Sequence, residues 1–537
     1  MRPKASLICN KSESAPKTPR CVRLSSCAAL LGMAAVSLLL ATPANAQGGW
    51  PIFGQNAANT ASSNSDDINA GNVAKLKLKW KFTTGGDVSA RAAVTGGVAY
   101  FPDWGGNLWA VKAGNGKKVW GTQLSAYGLA PNTISRTTPA VIDGVVYLGT
   151  QQGAWLLAID AASGNLLWKT QLETVDTHAV ITTSPTVRKG VLVTGVASTE
   201  EAIPGGGPGL ARGSVVAVNA KNGTILWKTY TTPVGYTGAG VWGSSPVVDG
   251  DRNLVYVGTG DNYTAPTDPA YLSCISGGGT PAACDSPNNH VDSILALDLT
   301  TGAIRWSQKM VTWNQFYGGA ANGTDYFNLS CIYHIAGCPL PTGPDFDYGQ
   351  APNEITYDTD HGKKTILGAG QKSGIYTAFD PDSGAILWQT QVGPGSSLGG
   401  MEWGSATDGK RIYVADANFY GIPWGGGSAG FFAALDPATG TVLWKAADPN
   451  GAVDLGPLAV VNGVVFAPSM GGGATSPNML ALDAATGKTL WSFAAGASVN
   501  AGASIANGTV FWGSGYAHLG IPGYTGSTSF YAFSGDN

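Results

Sequence analysis

A thirteen-residue pattern recurs seven times along this chain and restricts it to few architectures. It reads LWAVKAGNGKKVW (108–120), LLAIDAASGNLLW (156–168), VVAVNAKNGTILW (215–227), ILALDLTTGAIRW (294–306), YTAFDPDSGAILW (376–388), FAALDPATGTVLW (432–444) and MLALDAATGKTLW (479–491). Each copy is an apolar alternating stretch, an Asp or Asn turn ending in Gly, and a second stretch ending in Trp, which is the grammar of a β-hairpin. A further strand signal precedes the pattern, as in GVVYLGT (144–150), NLVYVGT (253–259) and GVVFAPS (463–469). Two hairpins per repeat make a four-stranded unit.

The ends of the chain complement one another. SFYAFSGDN (529–537) stops before a Trp strand, and KLKLKWKF (75–82) is a Trp strand without a partner. Joined, they complete an eighth unit. The expected fold is therefore all-β: an eight-bladed propeller of four-stranded blades, closed by strands from both termini, since radial closure protects sheet edges. A linear solenoid would need capping repeats instead. The repeated Trp is expected to pack between blades.

Composition agrees. Charged residues are 12% of the chain, beside 77 Gly and 17 Trp. Lys and Arg number 31 against 34 Asp and Glu, which leaves no basic field for nucleic acid. Residues 1–46 read as a secretory signal: basic residues, the apolar run AALLGMAAVSLLLA (28–41), and ATPANA ending at Ala46. The run is too short and wrongly flanked for a membrane anchor, and LSSC (24–27) precedes it rather than following it, unlike a lipoprotein box. The mature chain is expected to be a single propeller, 47–537, exported to the periplasm or secreted.

Cys9, Cys21 and Cys27 leave with the signal, and Cys274, Cys284, Cys331 and Cys338 remain. An even number in an exported chain points to disulfides, local pairing being the simplest of three connectivities. Without C-x-x-C, zinc is a weak reading, and without C-x-x-C-H there is no covalent c-type haem. Trp spacing stretches from Trp227 to Trp306 and from Trp306 to Trp388. The excess falls at about 260–293 and 312–350, with all four mature cysteines, and reads as a stapled cap at one mouth of the ring.

The repeats, together with VWGSSPVVDGDRNLVYVGTGDNY (241–263), GAGQKSGIYTAFDPDSGAILWQTQVGPG (368–395) and GGMEWG (399–404), resemble the quinoprotein alcohol dehydrogenases, in particular their polyvinyl-alcohol dehydrogenase branch. The resemblance covers nearly all of 47–537. It implies pyrroloquinoline quinone (PQQ) and Ca2+ on the ring axis. Trp242 of VWGSSP matches the Trp on which the quinone stacks, and Lys372 of GQKSG the cation against its carbonyls. Thr182 and Thr183 of VITTSP match hydroxyls near the cofactor's carboxylates; Arg136, Arg212 and Trp403 are further cofactor candidates. Glu200 matches the calcium-binding Glu, with Glu201 second, and Asp261 stands where relatives carry a ligating Asn, with Asn262 beside it. In DFDYGQAPNEI, Asp347 matches the catalytic Asp and also counts as a metal candidate, with Asp345 as its neighbour.

VTWNQFYGG (311–319) is a poorer match for the catalytic step, because Trp313 precedes Asn314, which cannot take a proton. Gly349 occupies the position where lanthanide-using relatives place an extra Asp, which favours calcium. The adjacent Cys-Cys pair of many relatives is missing; GGGPGLARGS (205–214) stands there. The implied activity is oxidation of a secondary or polymeric alcohol, with electrons leaving to a separate cytochrome c or other acceptor. Plainer readings stand beside these: Trp242 as packing, Glu200 and Glu201 as a solvated pair, Lys372 and the two aspartates as turn residues, and His178 as a loop or core histidine. Two rival functions are a non-catalytic scaffold of the outer-membrane-assembly type and a PQQ sugar or polyol dehydrogenase.

Overall fold

The computed structural model describes residues 48–243, 245–310 and 324–535. The proposed signal, its three cysteines, and the 311–319 segment with Trp313 and Asn314 lie outside the described residues. Eight antiparallel blades of four strands follow one another around a ring, the third with the short strand Ala179–Val180 added to its four, forming an eight-bladed β-propeller. Blade 1 consists of Ala93–Thr95, Val98–Pro102, Asn107–Lys112 and Lys118–Gln123. Blades 2 to 7 span 140–171, 186–230, 247–309, 353–391, 406–447 and 459–493. Blade 8 takes three strands from the C-terminus and its outer strand, Lys77–Thr83, from the N-terminus, paired antiparallel with Ser529–Ser534. The ring is thus closed by both ends of the chain.

The repeat explains how the blades lock. In blade 7, Asp483 Oδ1 accepts from the amides of Ala485 and Thr486 and from the Thr486 hydroxyl. This turns the chain into Gly487 at φ +73°, a conformation that glycine adopts without steric penalty. The preceding blade's Trp444 lies against that turn. Its Nε1 donates to Ala484 O at 3.0 Å, and a Cβ on Gly487 would lie 2.6 Å from its ring. The same contact recurs from Trp120 to Ala161 O, Trp168 to Ala220 O, Trp227 to Leu299 O, Trp306 to Pro381 O and Trp388 to Pro437 O. Trp491 and Trp80 carry it across the closure, to Leu76 O and Ala113 O. The Asp and Gly of one repeat and the Trp of the preceding one therefore form one inter-blade joint: the Gly is small because the neighbouring indole needs its place.

The segment that precedes Lys77–Thr83 was not foreseen from the repeats. Residues 50–63 run along the innermost strands, bonding backbone to backbone with Val94, Val141, Val248, Glu354, Thr407 and Val460. They therefore fill the middle of the ring. Arg91 ties this plug down, donating to Phe53 O, Pro457 O and Leu458 O while lying over the Trp50 and Phe53 rings.

The long excursions carry short helices, Pro269–Ser276, Pro281–Cys284 and Leu329–Ile332. They are stapled by Cys274–Cys284 and Cys331–Cys338, the local pairing. Among the described residues no helix is long and apolar enough to cross a membrane.

Candidate active site

A cavity of about 350 Å³ is lined by Arg136 and Gln151 of blade 2, Thr182 and Glu201 of blade 3, Trp242 and Tyr263 of blade 4, Asp347 and Lys372 of blade 5, and Trp403, Leu455 and Tyr516 from blades 6 to 8. Residues from seven blades meet in one cavity only at the centre of the ring. Each comes either from the loop entering a blade's first strand or from the loop after its second, so a single face of the propeller supplies them all. The volume lies within the range of about 300–1,000 Å³ usual for small-molecule sites.

At its base the sequence stretch GPDFDYG (343–349) folds into a charge cluster. Lys372 Nζ donates to Asp345 Oδ1 at 2.7 Å and to Asp347 Oδ2 at 3.0 Å. Asp347 is 1% exposed, and its carboxylate is held further by Trp242 Nε1 at 2.9 Å and by the Asp261 amide at 2.7 Å. Asp345, at φ +59°, is turned beneath the lysine rather than outward. Its amide and that of Phe346 donate to Asp325, which fixes the turn. Both aspartates thus belong to the cluster, so Asp345 is more than a turn residue.

Glu201, Asp261 and Asp345 each bring a carboxylate oxygen within 4.8 Å of the others. Asp261 is 1% exposed and neither of its side-chain oxygens has a hydrogen-bond partner. Burial, then Asp347 and Glu201, push the Asp261 carboxyl well up. Burial also raises Glu201, to about 7. For Lys372, burial alone would lower the ammonium, but Asp345 and Asp347 outweigh it and hold the group charged, well above the ordinary lysine range. One lysine faces Glu201, Asp261, Asp345 and Asp347, an imbalance that burial tolerates only where protons or a further cation offset the charge.

The structure redistributes several of the expected site residues. Glu200 turns away from the cavity: fully buried, it accepts from the amides of Leu210 and Ala211 and lies beside Asp176 and His178. Its neighbour Glu201, next along the short helical turn Glu200–Ala202, faces the cavity instead. Asn262 is committed elsewhere, exchanging amide contacts with Asn289 and donating to Thr237 O, so Asp261 is the residue with oxygens to offer. Arg212 lies over the Tyr230 ring and donates to Thr232 O, away from the cavity. Thr183 is buried against Val241 O, whereas Thr182 lines the cavity and donates to Trp242 O.

Trp242 and Trp403 meet edge to face at 5.6 Å, with Lys372 over the Trp242 ring and Arg136 over that of Trp403. Gly349 backs the Trp242 indole so closely that a Cβ there would lie 2.4 Å from the ring. Sequence reading missed Asp292, Asp325 and Glu402. Asp325 is raised by burial to about 6, and Asp292, raised well up, pairs with it. Asp292 and Asp325 lie within the insertions, outside the repeats, whereas Glu402 lies in the family-like GGMEWG, where only Trp403 was singled out.

Comparison with known proteins gives the chain's family and a likeness of fold. The family model described as "Outer membrane protein assembly factor BamB" matches residues 64–308 and 371–520. A polyvinylalcohol dehydrogenase of Pseudomonas sp. is 29% identical over 510 residues, covering 87% of this chain and 73% of the relative. Another, of Sphingopyxis sp. strain 113P3, is 31% identical over 407 residues, covering 70% of this chain and 56% of the relative, so the chain spans only part of these proteins. Among solved structures, a quinohemoprotein alcohol dehydrogenase from Pseudomonas putida HK5 superposes with TM-score 0.69 at 19% identity, covering 91% of this chain and 81% of that one, a likeness of fold. The chain belongs to the propeller family of that description and, within it, to the quinoprotein alcohol dehydrogenases.

Proposed function

We propose that this protein is an exported dehydrogenase that holds PQQ and a calcium ion in the central cavity, oxidises secondary or polymeric alcohols there, and passes electrons to a separate acceptor. The observation that carries this reading is the meeting of the Trp242 ring, Lys372, Glu201 and Asp347 in one cavity, with Asp345 bonded to that lysine, and Asp261, both its oxygens unpartnered, close to Glu201 and Asp345.

The residues fit both groups. Glu201, Asp261 and Asp345 offer only oxygen, the donor set that calcium takes, and a divalent cation would balance the cluster. Gly349 leaves no room for one more carboxylate beside Trp242, which supports calcium over a lanthanide. For the quinone, Trp242 and Trp403 offer flat apolar faces, and Arg136, Lys372 and Thr182 offer donors to carboxylates and carbonyls. When bound, the quinone accepts hydride and the calcium ion polarises its carbonyl.

Asp347 takes the hydroxyl proton of the alcohol. Trp242 Nε1 and the Asp261 amide orient its carboxylate, and Lys372 pairs with it. Leu329, Ile332, Leu398, Leu519 and Ile521 line the outer part of the cavity. Such an apolar mouth suits an alcohol on a hydrocarbon backbone better than a sugar. The buried, unbalanced charge has no use in a scaffold, which disfavours that rival. Export is supported by the composition of residues 1–46 and by the two disulfides.

Reconstituted with calcium and PQQ, the purified protein should reduce an artificial dye with polyvinyl alcohol and secondary alcohols, and more slowly with glucose. A preparation that shows no reduction with any alcohol after reconstitution would return the scaffold reading to first place.

A further inference from the structure

Glu402 is a carboxylate of the central cavity to which proton abstraction and cofactor binding give no task. It is 8% exposed and lines the cavity together with Asp347, Lys372 and Trp403. Among the described residues no hydrogen bond or ion pair reaches its side chain. Asp347 is the reverse, held by Lys372, Trp242 Nε1 and the Asp261 amide. A buried carboxylate without a donor is costly, so the oxygens of Glu402 are open to a group that enters the cavity.

The backbone aims them there. Gln350–Ala351 pairs parallel with Trp403–Gly404, Gln350 opposite Trp403, and the Trp403 amide donates to Gly349 O. Glu402 therefore runs alongside Gly349, two residues beyond Asp347. The Met401 amide donates to Gln371 O, next to Lys372. Neighbouring residues of an extended strand face opposite sides, yet Glu402 and Trp403 both line the cavity. Trp403 permits this by adopting φ +57°, a left-handed conformation that is unusual for a bulky side chain. Backbone strain of this kind gathers at binding sites.

We propose that Glu402 sets substrate specificity, accepting a hydrogen bond from a second hydroxyl of the substrate while Asp347 takes the proton of the first. This deepens the reading of the central cavity and rests on it. The cofactor's carboxylates and carbonyls are acceptors, which Arg136, Lys372 and Thr182 meet with donors, whereas Glu402 offers oxygen, the match for a hydroxyl donor. With Leu329, Ile332 and Leu519 on the outer wall, the preferred substrate is a diol or polyol on a hydrocarbon chain rather than an isolated alcohol.

The test compares pentane-2,4-diol with pentan-2-ol. Glu402→Leu removes the acceptor and should fold, since nothing in the protein bonds that carboxylate. In the reconstituted enzyme the preference for the diol, taken as the ratio of the two kcat/KM values, should fall about 10- to 100-fold. That is the worth of a hydrogen bond to a charged group, and it should enter mainly through the KM of the diol. Glu402→Gln keeps a carbonyl acceptor and should recover part of the preference. Two readouts need no turnover. Quinone absorbance on titration should match wild type in both variants. In the cofactor-free protein, the diol should perturb tryptophan fluorescence at lower concentration than pentan-2-ol, an advantage lost in Glu402→Leu. A diol preference unchanged in Glu402→Leu, or weakened quinone binding there, would overturn the inference. A wild type that binds no quinone would count against the reading of the cavity instead, and the fluorescence titration would still decide the role of Glu402.

Discussion

Asp347→Asn should fold and bind quinone like the wild type while losing alcohol turnover by about 10²- to 10⁴-fold, the usual worth of a positioned general base. The substitution keeps the shape of the side chain and the oxygen that accepts from the Asp261 amide. It removes the negative charge that faces Lys372 and the Trp242 Nε1 donor, and with it the capacity to take a proton. Steady-state dye reduction on reconstituted protein, read beside quinone absorbance, separates the two effects. Turnover within a few-fold of wild type would move the base to another carboxylate, Asp345 first.

Lys372→Met should be the most destabilising single substitution in the site. The lysine is 5% exposed and bonds both Asp345 and Asp347. Removing one partner of a buried pair leaves uncompensated charge, a loss of about 3–5 kcal/mol. Chemical denaturation of the metal-free variant should show that loss, and added calcium should restore part of it, because the ion supplies positive charge to the same carboxylates. Unchanged stability without calcium would mean that the lysine is not the counter-ion of these aspartates.

The blades were legible because a propeller repeats its joints. Asp, Gly and Trp recur at fixed spacing since each indole must meet the next blade's turn, and that contact leaves a mark in every copy. The plug formed by residues 50–63 left no such mark, because it is built once and bonds through its backbone, which any polar sequence can do. The site was half legible. Trp242, Lys372 and Asp347 sit in segments whose neighbours are constrained by strand geometry, so their places could be read. Glu200 and Glu201 could not be told apart, since adjacent residues of a tight helical turn point to different sides. The choice was made by the amides of Leu210 and Ala211, ten residues downstream. Asn262 looked as able to ligate as Asp261 until its amide was found paired with Asn289, a partner supplied by the insertion. Arg212 was misassigned for a similar reason: its position beside the cavity strands is right, but Tyr230 and Thr232 hold its side chain elsewhere.

The central claim is that the carboxylates and Trp242 make a calcium-dependent quinone site. Titrating the metal-free protein with PQQ, with and without calcium, and following absorbance and tryptophan fluorescence tests it most directly. One quinone per chain should bind in the presence of calcium, with negligible binding after chelation and binding lost or strongly weakened in Asp261→Asn and Glu201→Gln. Quinone binding that ignores calcium and both substitutions, or no quinone binding under any condition, would contradict it.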